Sequence, residues 1–451
     1  MNVTIIGTGY VGLTTGTALA YIGHDVTCVD KKPEIVERLA AGEPTIHEDG
    51  LRELLLAGRS RLRFRTDIPT LSGTGVVMIA VGTPSKSNGD ADLQYVDAAA
   101  REVADLIQEG ARLVVVNKST VPVGSARHVK GIIDRRLESR GVTAEVHVAS
   151  NPEFLAEGRA VHDSLYPDRI VIGVDDAGAA SLLREMYGPI LEQTFEPPAS
   201  TPRPERYDLP PLVTTTATSA ELTKYAANAF LATKISFINE FSQLAEKVGA
   251  DITEVARAIG LDQRIGPRFL QAGIGWGGSC FGKDTAAVLA LGSAYDYDLQ
   301  LVRSAVEVNR RQRMFVVDKL QQQLKVLRGT TIGLLGLAFK GNTDDMRDSP
   351  ALTLVQELHE RGAVLRVHDP VAMPSAKRHF PDLPVEYADD EVQLACGCDA
   401  VVVVTDWDQY RRLPLERMAA AMRGRLVLDA RNLLQRQSVT AAGLDYVGIG
   451  R

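Results

Sequence analysis

The sequence predicts an α/β protein: two parallel-sheet domains joined by a long central helix and a helical middle region. Three observations carry this expectation. Residues 1–30 read as strand, glycine turn, helix and strand; a second strand-first alternation begins at Thr331; and residues 219–248 between them hold one uninterrupted helical pattern. With 451 residues, 45% of them hydrophobic and 24% charged, the chain is long enough for two or three separate cores.

In chain order, Val3–Ile6 is a β-branched strand, a helix follows from about Val11 to Ile22, and Asp25–Val29 is the next strand. β-Branched runs recur at 76–81, 113–117 and 146–150, separated by helical periodicity, so the sheet is mostly parallel and the first domain spans 1–200. The run PPASTPRPERYDLPP, from Pro197 to Pro211, has too little apolar surface to fold, and residues 201–218 are expected to be an exposed linker or insertion. The central helical domain spans 219–327; its long helix has Ser219 as candidate cap, Glu221 in the first turn and Gly249 past its end. Residues 328–451 form the second α/β domain, with strands at 331–335, 364–368, 400–404 and 426–429 and a helix from Pro350. Its opening turn, Gly336 to Gly341, keeps only widely spaced glycines.

A net charge of -7 argues against nucleic-acid binding, which leaves a basic stripe. No apolar run approaches the ~20 residues of a membrane span, and the N-terminus lacks a basic region and a cleavage site, so a cytoplasmic address without membrane association is expected. Four cysteines (Cys28, Cys280, Cys396, Cys398) are too few and too irregular for a disulfide framework or zinc knuckles, and no metal is expected. An anionic ligand needs local cations; candidates are Lys224, Arg264, Arg268, Lys283, Lys340 and Arg347.

Gly7-Thr8-Gly9-Tyr10-Val11-Gly12 follows a strand and opens a helix, the context in which glycines allow a pyrophosphate to approach the helix N-terminus. Asp30 ends the second strand, where a carboxylate accepts the adenosine ribose hydroxyls and repels a 2′-phosphate, so NAD is favoured over NADP. Lys31 and Lys32 are the opposing signal; at a helix start they read as solvated charges. Thr83 and Thr120 end two later strands on the ligand-binding edge of the sheet, or else serve as caps.

Lys224 and Asn228 are four residues apart on the long helix and leave the same face, so an ammonium and an amide can meet one developing oxyanion; an ordinary solvated face is the other reading. Cys280 lies among glycines ahead of a helix expected to start near Asp284, where amide dipoles and Lys283 favour a thiolate. A buried small thiol is the alternative. A nucleophilic cysteine beside a dinucleotide site permits two successive oxidations, because a thiolate that captures an aldehyde allows a second hydride to leave and water then frees an acid.

Six segments in order resemble the UDP-glucose/GDP-mannose dehydrogenase family over nearly the whole chain: GTGYVG (7–12), STVPVG (119–124), NPEFLAEG (151–158), ELTKYAANAFLATKISFINE (221–240), GGSCFGKD (277–284) and GLAFKGNTDDMRDSPA (336–351). The resemblance implies a four-electron oxidation of a sugar C6 alcohol to a carboxylate with two NAD per turnover, through a thiohemiacetal and a thioester on Cys280. It implies Lys224 and Asn228 as oxyanion stabilisers, Asp284 orienting water, and Glu153 as the base of thioester hydrolysis assisted by Thr120. Glu157, Lys283 and Arg347 are implied as cofactor contacts. Implied substrate contacts are Glu153, Phe154, Leu155, Lys224, Asn228, the loop Phe269, Leu270 and Gly273, Gly277, Lys340 and Arg431, with the nucleotide sugar between the domains. Arg264 is implied to reach a neighbouring subunit's substrate, so a homodimer or larger homo-oligomer is expected.

AANAFLATKISFINE resembles the UDP-glucose branch, which implies UDP-glucuronate as product and a place in polysaccharide biosynthesis. The same chemistry on GDP-mannose or a UDP-N-acetylhexosamine is the near alternative; a one-step hydroxyacid dehydrogenase and a non-catalytic nucleotide-binding protein are the alternatives of other classes. Gly282 stands where many bacterial relatives have proline, Ile35 replaces a lysine often found there with Lys31 or Lys32 as substitutes, and the proline-rich run is longer than usual.

Overall fold

The computed structural model describes all residues, Met1–Arg451. The chain forms two compact units, residues 1–227 with 286–291, and residues 228–285 with 292–451.

The first unit is built on β1 (Asn2–Ile6), β2 (Asp25–Val29), β3 (Leu62–Arg65), β4 (Thr74–Ile79), β5 (Arg112–Asn117), β6 (Glu145–Ser150), β7 (Ile170–Gly173) and β8 (Leu212–Thr215). Their order is β3-β2-β1-β4-β5-β6-β7-β8. Neighbours are parallel except β6 and β7, which meet antiparallel at Ser150 opposite Gly173. Central strands carry runs of successive apolar residues, Val76–Ile79 in β4 and Leu113–Val116 in β5, because helices cover both faces. Val76, Met78, Val114 and Val116 pack on one face with Leu13 and Leu19, whereas Val77, Ile79, Leu113 and Val115 pack on the other with Val103 and Ile133. The strand order reverses at β1, which has β2 on one side and β4 on the other. Beyond the carboxyl ends of strands at such a reversal an open sheet binds ligands.

The proline-rich run is mostly exposed, as its composition implies, but it is also anchored. Arg203 donates to Gln193 Oε1 at 3.0 Å and to its carbonyl at 2.9 Å, Tyr207 donates to the Pro167 carbonyl, and Tyr166 donates to that of Thr201. It leads into β8, a strand the sequence reading did not anticipate. The long helix runs Ala217–Val248, two residues earlier than expected. Ser219 is not its cap: the Ser219 N–H donates to Thr216 Oγ1 at 3.2 Å, so the threonine upstream takes that role.

The second unit carries β9 (Thr331–Leu335), β10 (Val364–His368), β11 (Glu386–Tyr387), β12 (Ala400–Val403), β13 (Leu426–Asp429) and β14 (Asp445–Gly448), all parallel, in the order β11-β10-β9-β12-β13-β14. One core joins these strands to Val316 and Leu320 of the helix Gln300–Leu324 and to Leu354 and Leu358 of the helix Pro350–Glu360. No helix is long and apolar enough to cross a membrane.

Candidate active site

The glycine turn between β1 and the helix Tyr10–Tyr21 is shaped by what a side chain would strike. Gly7 has φ +100°, and a Cβ there would lie 2.6 Å from the Ala80 carbonyl oxygen; at Gly12 a Cβ would collide with the Gly7 oxygen. Gly9 faces open space. It is the helix N-cap, with no side-chain cap and no acidic residue in the first turn, so the first-turn amides of Tyr10, Val11 and Gly12 are presented to an anion. Asp30 Oδ2 accepts from Thr8 Oγ1 at 2.6 Å and Thr8 N at 3.2 Å, while Oδ1 accepts from Lys32 N, which fixes the carboxylate beside the turn. Lys31 is paired with Glu102 at 2.6 Å. These features fit a dinucleotide carrying free ribose hydroxyls. Tyr10 Oη donates to the His47 carbonyl. Thr83 donates to the Thr120 carbonyl at 2.9 Å, so this hydroxyl ties two strand-end loops together instead of capping a helix.

A second cluster of the first unit surrounds Glu153, in the segment after β6. Its Oε1 accepts from Lys224 Nζ at 2.7 Å and its Oε2 from the Leu155 N–H at 2.6 Å, and both members of the pair are buried. Burial favours the neutral acid; the charge and hydrogen bond of Lys224, the Leu155 N–H and the charge of Lys118 together outweigh it, and the carboxyl lies below its usual range. The Phe154 ring carries the Arg169 guanidinium at 3.9 Å, with Lys224 Nζ 5.6 Å from its centroid. Glu157 lies part-exposed in the same segment. Glu221, expected only as a first-turn helix acid, accepts from the N–H groups of Gly124 and Ala126 and from Ser150 Oγ, and so caps the helix Ser125–Arg140.

In the second unit, Cys280 is itself the N-cap of a helix that begins at Phe281, three residues before the expected start. The thiol is part-exposed, 3.6 Å from Ser279 Oγ. Asp284, in that first turn and 1% exposed, accepts from Asn228 Nδ2 at 2.6 Å and Lys283 Nζ at 2.6 Å. Lys224 and Asn228 therefore each hold a different acid, one helical turn apart.

The loop before the cysteine is pinned by amides that the sequence reading missed. Asn309 accepts the Trp276 N–H at 2.8 Å and donates to the Trp276 carbonyl at 2.9 Å. Asn239 accepts the Gly273 N–H, and Gln312 donates to the Gly273 carbonyl. A Cβ at Gly277 would strike the Asp348 carbonyl, and one at Gly273 would lie 2.6 Å from that of Ala430. Phe269 sits at φ +66°, costly for a residue with a Cβ, and Leu270 is buried in the small core with Ile238 and Ile252. The only signal of the pinning amides was polar residues at helix positions that the periodicity turns inward.

The remaining candidates lie in three settings. Arg431 is part-buried and donates to the carbonyls of Val404, Gly275 and Phe339, a cross-link of three segments. Arg347 pairs with Asp345 through Nε and Nη2, and Lys340 lies 5.6 Å from the Phe339 ring centroid. Arg264 is on the surface, 89% exposed, forked onto Asp262.

Three domain descriptions of the UDP-glucose/GDP-mannose dehydrogenase family match the chain: its NAD binding domain at residues 1–191, its central domain at 218–311 and its UDP binding domain at 333–436. The chain is 44% identical to a UDP-glucose 6-dehydrogenase of Rhizobium meliloti, covering 100% of both chains. It is 42% identical to the UDP-glucose 6-dehydrogenase YwqF of Bacillus subtilis, covering 100% of this chain and 98% of that one. Among solved structures, a UDP-glucose dehydrogenase from the archaeon Pyrobaculum islandicum is similar with a TM-score of 0.85 and 38% identity, over 100% of this chain and 97% of that one.

Proposed function

The chain belongs to the UDP-glucose/GDP-mannose dehydrogenase family, an NAD-dependent oxidoreductase family, and from that premise we propose that it oxidises UDP-glucose at C6 to UDP-glucuronate. The observation that carries the reading is a thiol at a helix N-cap, with a buried aspartate in the first turn held by an amide and an ammonium. Binding alone requires no such group.

When bound, NAD accepts a hydride in each oxidation. Gly9 would leave room for its pyrophosphate on a turn that Gly7 and Gly12 permit, and Asp30 would take the ribose hydroxyls, with Thr83, Thr120, Glu157, Lys283 and Arg347 as further contacts. Cys280 retains C6 between the oxidations. Its thiolate adds to the aldehyde carbon, and the helix N-terminus stabilises that thiolate. Lys224 and Asn228 donate to the C6 oxygen as negative charge develops there. At the acyl level water adds to C6, Glu153 takes its proton, and the sulfur leaves as thiolate. Asp284 orients the water, with Thr120 assisting. An ionised Glu153 suits this role, since only the carboxylate can accept a proton. For the nucleotide sugar we assign Phe154, Leu155, Phe269, Leu270, Gly273, Gly277 and Lys340 as contacts; Arg431 shapes the loops through its carbonyl bonds.

Assembly through the long helix completes the proposal. Phe230, Phe237, Phe241, Leu244 and Val248 are exposed on one face of it, at the 7-, 4-, 3- and 4-residue spacings of a helix-pairing stripe, which supports a homodimer. Arg264 then serves a partner's substrate. The cytoplasm, where NAD and nucleotide sugars meet, is the proposed compartment.

The test is stoichiometric. The protein with UDP-glucose and NAD should form two NADH per UDP-glucuronate, and Cys280→Ser should abolish steady-state acid formation. Near-normal acid formation by that variant, or inertness of the wild-type protein toward UDP-glucose, rejects the assignment.

A further inference from the structure

Lys118 follows β5 and has no part in the mechanism above, yet it is a buried ammonium. Its Nζ donates to Asn151 Oδ1 at 3.0 Å and lies 5.9 Å from the centroid of the Tyr187 ring, and it makes no ion pair. Asn151 is itself committed: its Nδ2 donates to the Val171 carbonyl, and its Oδ1 also accepts from Tyr187 Oη. Burial keeps that phenol protonated, so Tyr187 brings a dipole and no counter-charge. The charges that act on Lys118 are Glu153, from the segment after β6, which attracts it, and Lys224, from the long helix, which repels it. Two buried ammonium groups thus share one carboxylate, and Lys224 already occupies it. An uncompensated buried charge opposes folding, and such arrangements gather where charge changes during a reaction.

We propose that Lys118 is a positioning residue for the acyl-hydrolysis step, acting through Glu153: its charge holds that carboxylate ionised until it accepts the proton of the attacking water, and then favours release of that proton. The inference rests on Glu153 being the base. In that step the water oxygen bonds to the acyl carbon, the C–S bond breaks with sulfur leaving as thiolate, and the water proton passes to Glu153. While Glu153 is protonated Lys118 loses the one charge that attracts it, so re-ionisation is favoured and the site resets. Burial, opposed by the charge of Glu153 and reinforced by that of Lys224, brings Lys118 down to about 8, so its own charge responds to the same event.

The experiment compares the full-length wild type with Lys118→Met and Asn151→Asp, the second supplying Lys118 with a counter-ion if the first fails to fold. Rapid mixing with UDP-glucose and NAD measures the NADH burst, and UDP-glucuronate release is followed against pH. In both variants the acid limb of release should move up by about one pH unit, slowing release about tenfold on that limb, with the burst amplitude retained. A purely structural role for Lys118 leaves the limb where it is. Glu153→Gln separates the two ideas. If that variant keeps the limb, the base assignment falls and the proposal with it; if it loses the limb while Lys118→Met and Asn151→Asp leave theirs unmoved, the proposal alone is overturned.

Discussion

Asn309→Ala tests whether buried amides hold the cysteine loop. Asn309 is 4% exposed; it accepts the Trp276 N–H at 2.8 Å and donates to the Trp276 carbonyl at 2.9 Å, a carbonyl that also accepts from Arg313 Nη2 at 2.8 Å. Alanine leaves the buried Trp276 N–H without its partner, at about 1–3 kcal/mol, while the carbonyl keeps its bond from Arg313, so the unit should lose about 1–3 kcal/mol. At a urea slope of about 3 kcal/mol per molar, the midpoint falls by about 0.3–1 M. The chain has two tryptophans, Trp276 and Trp407, and both lie in the second unit, so tryptophan fluorescence follows that unit without the first. Thiol alkylation gives a second readout. Cys396 is exposed and serves as internal reference, Cys28 and Cys398 are buried, and the part-exposed Cys280 should react faster relative to Cys396 in the variant. A midpoint shift below about 0.3 M, less than about 1 kcal/mol, would refute the reasoning, because an unpartnered buried N–H cannot cost so little.

Gly12→Ala should lose stability because its Cβ meets the Gly7 oxygen, whereas Gly9→Ala, facing open space, should melt like the wild type yet bind NAD at least about tenfold more weakly by fluorescence titration. Gly282→Ala, in the first turn of the helix Phe281–Ala294, meets only the Asp348 carboxylate end at 3.3 Å and should add about 0.5–1 kcal/mol in urea unfolding. Lys118 binds its proton less tightly folded, at about 8, than unfolded, near 10.4, so between those values the unfolded chain holds more protons and stability rises with pH. The rise is at most about 3 kcal/mol, and far-UV circular dichroism of Lys118→Met should show it missing. Phe237→Glu with Phe241→Glu should shift a dimer to monomer in sedimentation experiments.

Local pattern by itself settles much of this protein. A buried parallel strand must be apolar at successive positions and a crossover helix must repeat near 3.6, so β1, β2, β4, β5 and β6 and the restart at Thr331 could be located from the string alone. The glycine turn was legible for the same reason, since its backbone demands are met within six residues. The motifs naming Cys280, Asp284, Lys224, Asn228 and Glu153 were legible as a resemblance. What tertiary structure alone decided was which polar side chain meets which partner. Thr216 displaced Ser219 as the cap because its hydroxyl faces the Ser219 amide, and the cysteine helix began at Phe281 because Cys280 itself takes the cap position. Glu221, Asn309, Gln312 and Lys118 are hydrophilic residues whose partners lie at sequence separations of 33 to 97. A pattern that sorts residues by polarity assigns such groups to solvent; only the folded chain brings them the hydrogen bonds that let them stay buried.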